Sequence, residues 1–145
     1  MKQYHNIQPV YNKDSYLLIL GSFPSVKSRE GQFFYHHPQN RFWKIFEQLF
    51  DLKLQTIEDK KAFLLKHHIA VWDVIASCDI VGSSDSSIET IYTNGKKAHQ
   101  LYQKYIFPVT QKEDICLPST SPANATYSLE KLIESWRLLL NHDLS

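Results

Sequence analysis

Cysteine, glycine, long apolar runs and charge of one sign are all scarce in this chain, and each scarcity removes a class of protein. The two cysteines among 145 residues, Cys78 and Cys116, cannot build a disulfide framework and lack the four-ligand spacing of a structural zinc site. They read as reduced thiols. The four glycines form no glycine-rich phosphate loop, and no nucleophile elbow occurs. The longest unbroken apolar run, Tyr16 to Leu20, has five residues, far short of a membrane span, and no charged-then-apolar leader is recognisable. The expectation is a cytoplasmic protein with no membrane partner. Sixteen Lys and Arg against fifteen Asp and Glu give a net charge of +1, which carries no global signature of nucleic-acid binding. His36-His37 and His67-His68 are adjacent pairs that do not share a helix face, so neither metal nor cofactor is expected. Internal repeats, heptads and low-complexity tracts are absent.

What remains is a globular composition, 43% hydrophobic and 13% aromatic, at a length that fits one domain spanning residues 1–145. The stretch from Leu17 to Trp43 organises it. An apolar run reads as a buried strand and stops at Gly21, and Gly21-Ser22-Phe23-Pro24-Ser25 follows as a small-residue turn suited to folding closely around a ligand. Phe33, Phe34 and Tyr35 come next. Asn40-Arg41-Phe42-Trp43 then opens a helix with apolar residues at Phe42, Ile45, Phe46, Leu49 and Phe50. Between Gly21 and Lys44 the four cations Lys27, Arg29, Arg41 and Lys44 face one carboxylate, Glu30, a local +3 that favours an anionic partner.

Residues Met1 to Ser15 read as a polar tail. Thr56 and Asp59 form a capping box opening a helix over about 57–67, followed by a strand at Ile69 to Val74 and a serine- and aspartate-rich loop, Ser77 to Ser87. A third strand, Ile88 to Thr93, ends at Asn94-Gly95. The next helix carries Ala98, Leu101, Tyr102 and Tyr105 on one face. A fourth strand, Asp114 to Leu117, leads into Pro118-Ser119-Thr120-Ser121-Pro122-Ala123-Asn124. The strongest helical pattern, Ser128 to Leu140, closes the chain. Strands alternating with helices predict an α/β fold, a three-layer α/β/α arrangement around a central four-stranded, mainly parallel sheet. Ligands of such sheets sit at the carboxyl ends of the strands, where Gly21 to Ser25, Asn94 and Pro118 to Asn124 all fall.

These residues carry a resemblance. GSFPS after the first strand, NRFW at the next helix, the strand-terminal Asn94 and LPSTSPAN after the last strand resemble the uracil-DNA glycosylase superfamily over about residues 16–140. NRFW also occurs in the mismatch-specific uracil/thymine branch; GSFPS paired with STSPAN resembles the hypoxanthine-DNA (deoxyinosine) glycosylase branch. Two departures accompany the match. Aligned on Gly21 and Pro24, the chain has Phe23 where other branches place a water-handling asparagine or aspartate, and Leu117 stands where the uracil-specific branch has histidine. The resemblance implies that the catalytic carboxamide is Asn40.

The implied substrate is DNA containing deaminated bases, cut by a monofunctional, monomeric enzyme without a cofactor. Cleaving a deoxyribose N-glycosidic bond needs an extruded base, a held water and donors for the departing base. Backbone N–H groups of the Gly21 to Ser25 turn suit the last task. Asn94 offers a donor and an acceptor side by side, matching N1–H and O6 of hypoxanthine but equally N3–H and O4 of uracil. Phe23, Phe34 and Tyr35 are candidate walls, and Ser119, Ser121 and the Pro122-Ala123-Asn124 tip are candidate DNA contacts, with Lys27, Arg29, Arg41, Lys44, Lys96 and Lys97 as further phosphate contacts. Plainer readings stand beside these: Asn40 as a helix N-cap, Asn94-Gly95 as a turn, the Phe33 to Tyr35 rings as core, and the two loops as connectors. A uracil or mismatch glycosylase and a non-catalytic nucleotide or damaged-DNA binding module are the alternative functions.

Overall fold

The computed structural model describes residues 10–22, 33–35, 39–74 and 88–141. The polar stretch before Val10, the serine-rich loop and three site candidates, Phe23, Pro24 and Ser25, lie outside the described residues.

The four apolar runs form β1 (Leu17–Gly21), β2 (Ile69–Asp73), β3 (Thr90–Asn94) and β4 (Asp114–Leu117). They pair in the order β2-β1-β3-β4, and every pairing is parallel. The central strand is sealed on both faces, with Leu17, Leu18, Ile19 and Leu20 all at 0% exposure, which is why it reads as a continuous apolar run. Alternation along it splits the core in two. Leu17 and Ile19 face an aromatic layer of α1 (Phe42–Phe50), α2 (Ile57–Lys66) and α5 (Leu129–Trp136). Leu18 and Leu20 face a smaller layer built from α3 (Lys96–Tyr105) and Ile106, against which Phe107 of the short α4 (Phe107–Thr110) packs. The fold is thus a three-layer α/β/α arrangement around a parallel sheet.

Local signals account for several boundaries. In α2 the Thr56 hydroxyl accepts from the Asp59 N–H at 3.0 Å while the Asp59 carboxylate accepts from the Thr56 N–H, the reciprocal cap that the sequence predicts. The first helix ends at Asp51, whose left-handed backbone lets its N–H donate to the Glu47 carbonyl. Three expectations change. The end of the last helix tightens into a 3₁₀ turn over Arg137–Asn141. The third strand begins at Thr90 rather than Ile88. Val10 is no part of a loose tail; it makes an antiparallel bridge to Val71, covering the outer edge of β2 and burying its own side chain. Cys116 is a free thiol on the opposite edge strand. Among the described residues no helix is long and apolar enough to cross a membrane.

Candidate functional site

Strand order turns outward in opposite directions from the β1–β3 pair, so the connections leaving those strands diverge and open a crevice at their carboxyl ends. The residues at that switch point are Gly21 and Asn94. Asp73 lies in register with Gly21, and Leu117 with Asn94. Ser22, half-buried, follows directly. The starts of α1 and α3 lie at this end too, because Arg41 N–H donates to the Thr120 carbonyl and α3 begins straight after Asn94-Gly95.

The floor of the crevice is Tyr35. Its backbone is left-handed (φ 55°), a conformation that costs a tyrosine about 1–2 kcal/mol, and stacking on Phe42 at 4.0 Å between ring centroids holds it. Phe42 is in turn packed edge-on by Trp43 and Trp136. The Tyr35 hydroxyl lies so close over Gly21 that a methyl group there would come within 2.7 Å of it, which explains the glycine. That hydroxyl is buried and makes no hydrogen bond of normal geometry. Burial holds the phenol well above the ordinary tyrosine pKa, the nearby Asn94 amide draws it the other way, and the Asp73 carboxylate raises it further. Phe34 packs inward at 5% exposure, its carbonyl accepting from the Trp43 indole at 3.2 Å. Of these two rings Tyr35 is the one that lies over Gly21 at the carboxyl end of β1.

Asn94 is buried and tied to the loop after β4. Its Oδ1 accepts from the Thr120 N–H and its Nδ2 donates to the Thr120 hydroxyl, both at 3.0 Å. Since a backbone N–H can only donate, this pairing fixes which amide end is oxygen. One Oδ1 lone pair and one Nδ2 hydrogen are left over. Asn40 accepts from the Phe42 N–H through Oδ1 at 2.9 Å, an Asx turn one residue ahead of Arg41, which is the N-cap of α1 and makes no side-chain capping bond; the Asn40 Nδ2 has no partner among the described residues. The side chain is partly exposed.

The loop from Pro118 to Tyr127 is organised by its own side chains. Ser121 N–H donates to the Ser119 hydroxyl and Ala123 N–H to the Ser121 hydroxyl, each at 3.1 Å, and neither hydroxyl donates to another described residue. The Asn124 amide donates to the Ser119 carbonyl, and Pro122 and Ala123 form the exposed tip. Lys96, Ser119, Ser121, Asn124 and Tyr127 line an open groove of about 610 Å³ along this loop. Arg41 does not reach outward: its guanidinium donates to the carbonyls of Tyr127, Ser121 (2.8 Å) and Asn124 (3.1 Å).

Asn94, Thr120, Arg41 and the loop thus form one bonded unit beside the Gly21–Tyr35 contact. Asp73 and Thr120 escape a sequence reading, and Arg41, expected as a phosphate contact, instead holds the loop carbonyls. Asp73 is 1% exposed at the crevice; a carboxylate ending an apolar strand is the signal. Thr120 gives none, being one hydroxyl among several. Arg41 gives one, because a cation at a helix N-terminus opposes the dipole unless carbonyls offset it.

Comparison with known proteins agrees in extent and fold. The model of the family described as "Uracil DNA glycosylase superfamily" matches residues 8–144. A protein named hypoxanthine DNA glycosylase from Methanosarcina acetivorans is 31% identical, over 92% of this chain and 95% of that one. One of the same name from Methanosarcina barkeri is 31% identical over 56% of this chain and 52% of its own. The solution NMR structure of a uracil DNA glycosylase candidate from Methanosarcina acetivorans superposes with a TM-score of 0.71 at 27% identity, over 95% of this chain and 98% of that one. With the crevice at the β1–β3 switch point and these matches spanning nearly its whole length, the chain belongs to the uracil DNA glycosylase superfamily.

Proposed function

We propose that this protein is a monofunctional DNA glycosylase that hydrolyses the N-glycosidic bond of deoxyinosine and releases hypoxanthine. The observation that carries the proposal is the hydrogen-bonding capacity at the switch point: Asn94 retains one donor and one acceptor after Thr120 has fixed its orientation, beside a phenol that reaches the Asn94 amide without a bond of normal geometry. Hypoxanthine presents N1–H and O6 as the complement. The name of the Methanosarcina acetivorans relative supports the same base.

Water adds to C1′ as the C1′–N9 bond breaks, and the departing base takes up a proton. Asn40 orients the water through the Oδ1 lone pair its turn leaves unused, or through Nδ2; a neutral carboxamide does this without deprotonating it. Donors of the Gly21 to Ser25 turn meet the charge that develops on the purine. Tyr35 stays neutral, since burial raises its pKa, and so remains a donor in the pocket. Phe34, packed inward beside Tyr35, backs the pocket from the core side. Ser119, Ser121 and the Pro122 to Asn124 tip, with Pro24 and Ser25, engage DNA as the base is extruded. The protein acts on deaminated DNA as a cytoplasmic monomer without a cofactor.

Uracil offers the Asn94 amide an equivalent edge, and the structural neighbour described as a uracil DNA glycosylase candidate favours that second reading. Incubation with deoxyinosine, uracil and xanthine oligonucleotides, single- and double-stranded, separates the two. Fastest release is expected from deoxyinosine. Faster release of uracil replaces hypoxanthine as the substrate, and binding without any release leaves a non-catalytic module.

A further inference from the structure

Arg41 sits between the proposed water-handling Asn40 and the core ring Phe42, yet it points at none of the places expected of a DNA-facing cation. Its guanidinium is engaged by the carbonyls of Ser121, Asn124 and Tyr127, its backbone N–H by the Thr120 carbonyl, and its Nε is buried without a partner. Carbonyl oxygens are the loop's negative ends. With three of them turned onto one cation, the groove along the loop is lined by Ser119 and Ser121, whose hydroxyls each accept one backbone N–H and donate to none of the described residues. A loop facing outward with donors and inward with acceptors suits a phosphate backbone; relaxed, it would present carbonyls that repel one.

We propose that Arg41 is a positioning residue for DNA: it never touches the nucleic acid, but orients the Pro118 to Tyr127 loop into its donor-outward form and locks that loop to the helix start carrying Asn40. This rests on the DNA-glycosylase reading and adds the device that makes the loop competent. A lysine cannot substitute, because one ammonium does not span three separated carbonyls as a planar guanidinium does.

The test compares wild type with Arg41→Lys and Arg41→Met, which keep the buried stem, and with Arg41→Ala supplemented by guanidinium ion at sub-denaturing concentration against equal sodium chloride. Binding to a deoxyinosine duplex over a salt series and single-turnover base release are measured well below each variant's melting temperature. Both Arg41→Lys and Arg41→Met are expected to lose about 10-fold or more in release rate, the scale of a mispositioned group. Their lines of log affinity against log salt should run parallel to wild type, and guanidinium should restore Arg41→Ala. A slope shallower by about 0.9 would make Arg41 a phosphate contact and overturn the inference. So would wild-type rates in Arg41→Lys, or rates lost only in proportion to unfolded protein. A wild type that neither binds nor cleaves DNA overturns the glycosylase reading and the inference with it; a competent wild type matched by Arg41→Met overturns the inference alone.

Discussion

Two regions at the carboxyl end of the sheet are built on opposite terms. In the loop from Pro118 to Tyr127, carbonyls are taken up by Arg41, Trp136 and the Asn124 amide, and hydroxyls by backbone N–H groups. Around Tyr35, a few residues away in space, a phenol is buried with no bond of normal geometry, its backbone is left-handed, and the Asn94 amide keeps unused capacity. An unpaired buried polar group costs about 1–3 kcal/mol, so a protein retains one where something else offsets the cost. The loop is a finished object whose shape is the product. Under the proposed function, the extruded base supplies the partners that this second region lacks. Rigid framing and open valences are the two halves of recognition, and here they meet at a single residue, Asn94.

Trp136→Ala should break the comparison most severely. The indole is fully buried, packs edge-on against Phe42 and Phe46, and donates to the Pro118 carbonyl at 3.0 Å, so one side chain supports the pocket floor and anchors the loop. Thermal or urea unfolding should show a loss of about 3–5 kcal/mol, with both regions affected. Gly95→Ala should strike the loop alone. At φ 97° and ψ 164° the backbone occupies a region reserved for glycine, and a methyl would meet Ser119 Cβ at 2.9 Å. A cost of about 1–3 kcal/mol follows, visible in urea titrations together with weaker DNA binding.

Tyr35→Phe is the mildest change and sharpens the contrast. Removing an unpartnered hydroxyl should leave stability at neutral pH unchanged or slightly higher, while discrimination among bases falls in the release panel. Its alkaline behaviour has a definite sign. A phenol whose folded pKa is raised stays protonated in the fold while the unfolded chain ionises above the ordinary value of 10.0, so stability falls as pH climbs past that point. Tyr92 and Tyr102 are raised in the same direction. Tyr35→Phe should therefore flatten, without abolishing, the alkaline loss measured by urea unfolding between neutral pH and pH values above 10.0.

How far the sequence speaks differs between the regions for a physical reason. Elements are local: β4 begins at Asp114 and ends at Leu117 as its apolar pattern predicts, and the Thr56–Asp59 cap sits where its spacing puts it. The short α4 over Phe107–Thr110 goes unread because four residues with a proline carry no helical periodicity. The site is non-local. Asn94 to Thr120 and Arg41 to Asn124 span 26 and 83 residues, and no spacing rule links them. A turn residue and a bonded strand-end amide look the same on paper. Asn40 departs from its N-cap reading, because Arg41 is the N-cap and Asn40 closes an Asx turn one residue ahead of it, with hydrogen-bonding capacity to spare.

That spare capacity makes Asn40→Ser the most direct test of the central claim. A serine hydroxyl can accept the same bond two residues on in the corresponding turn, so the Phe42 N–H keeps an acceptor and the fold should hold. Its hydroxyl is too short to hold water at the sugar. Single-turnover release of hypoxanthine from a deoxyinosine duplex should fall by about 10²-fold or more, the scale of a lost catalytic group, with melting temperature and DNA affinity close to wild type. Release at the wild-type rate from a protein of wild-type stability would contradict the account, leaving Asn40 a turn residue and moving the water-handling role to another residue.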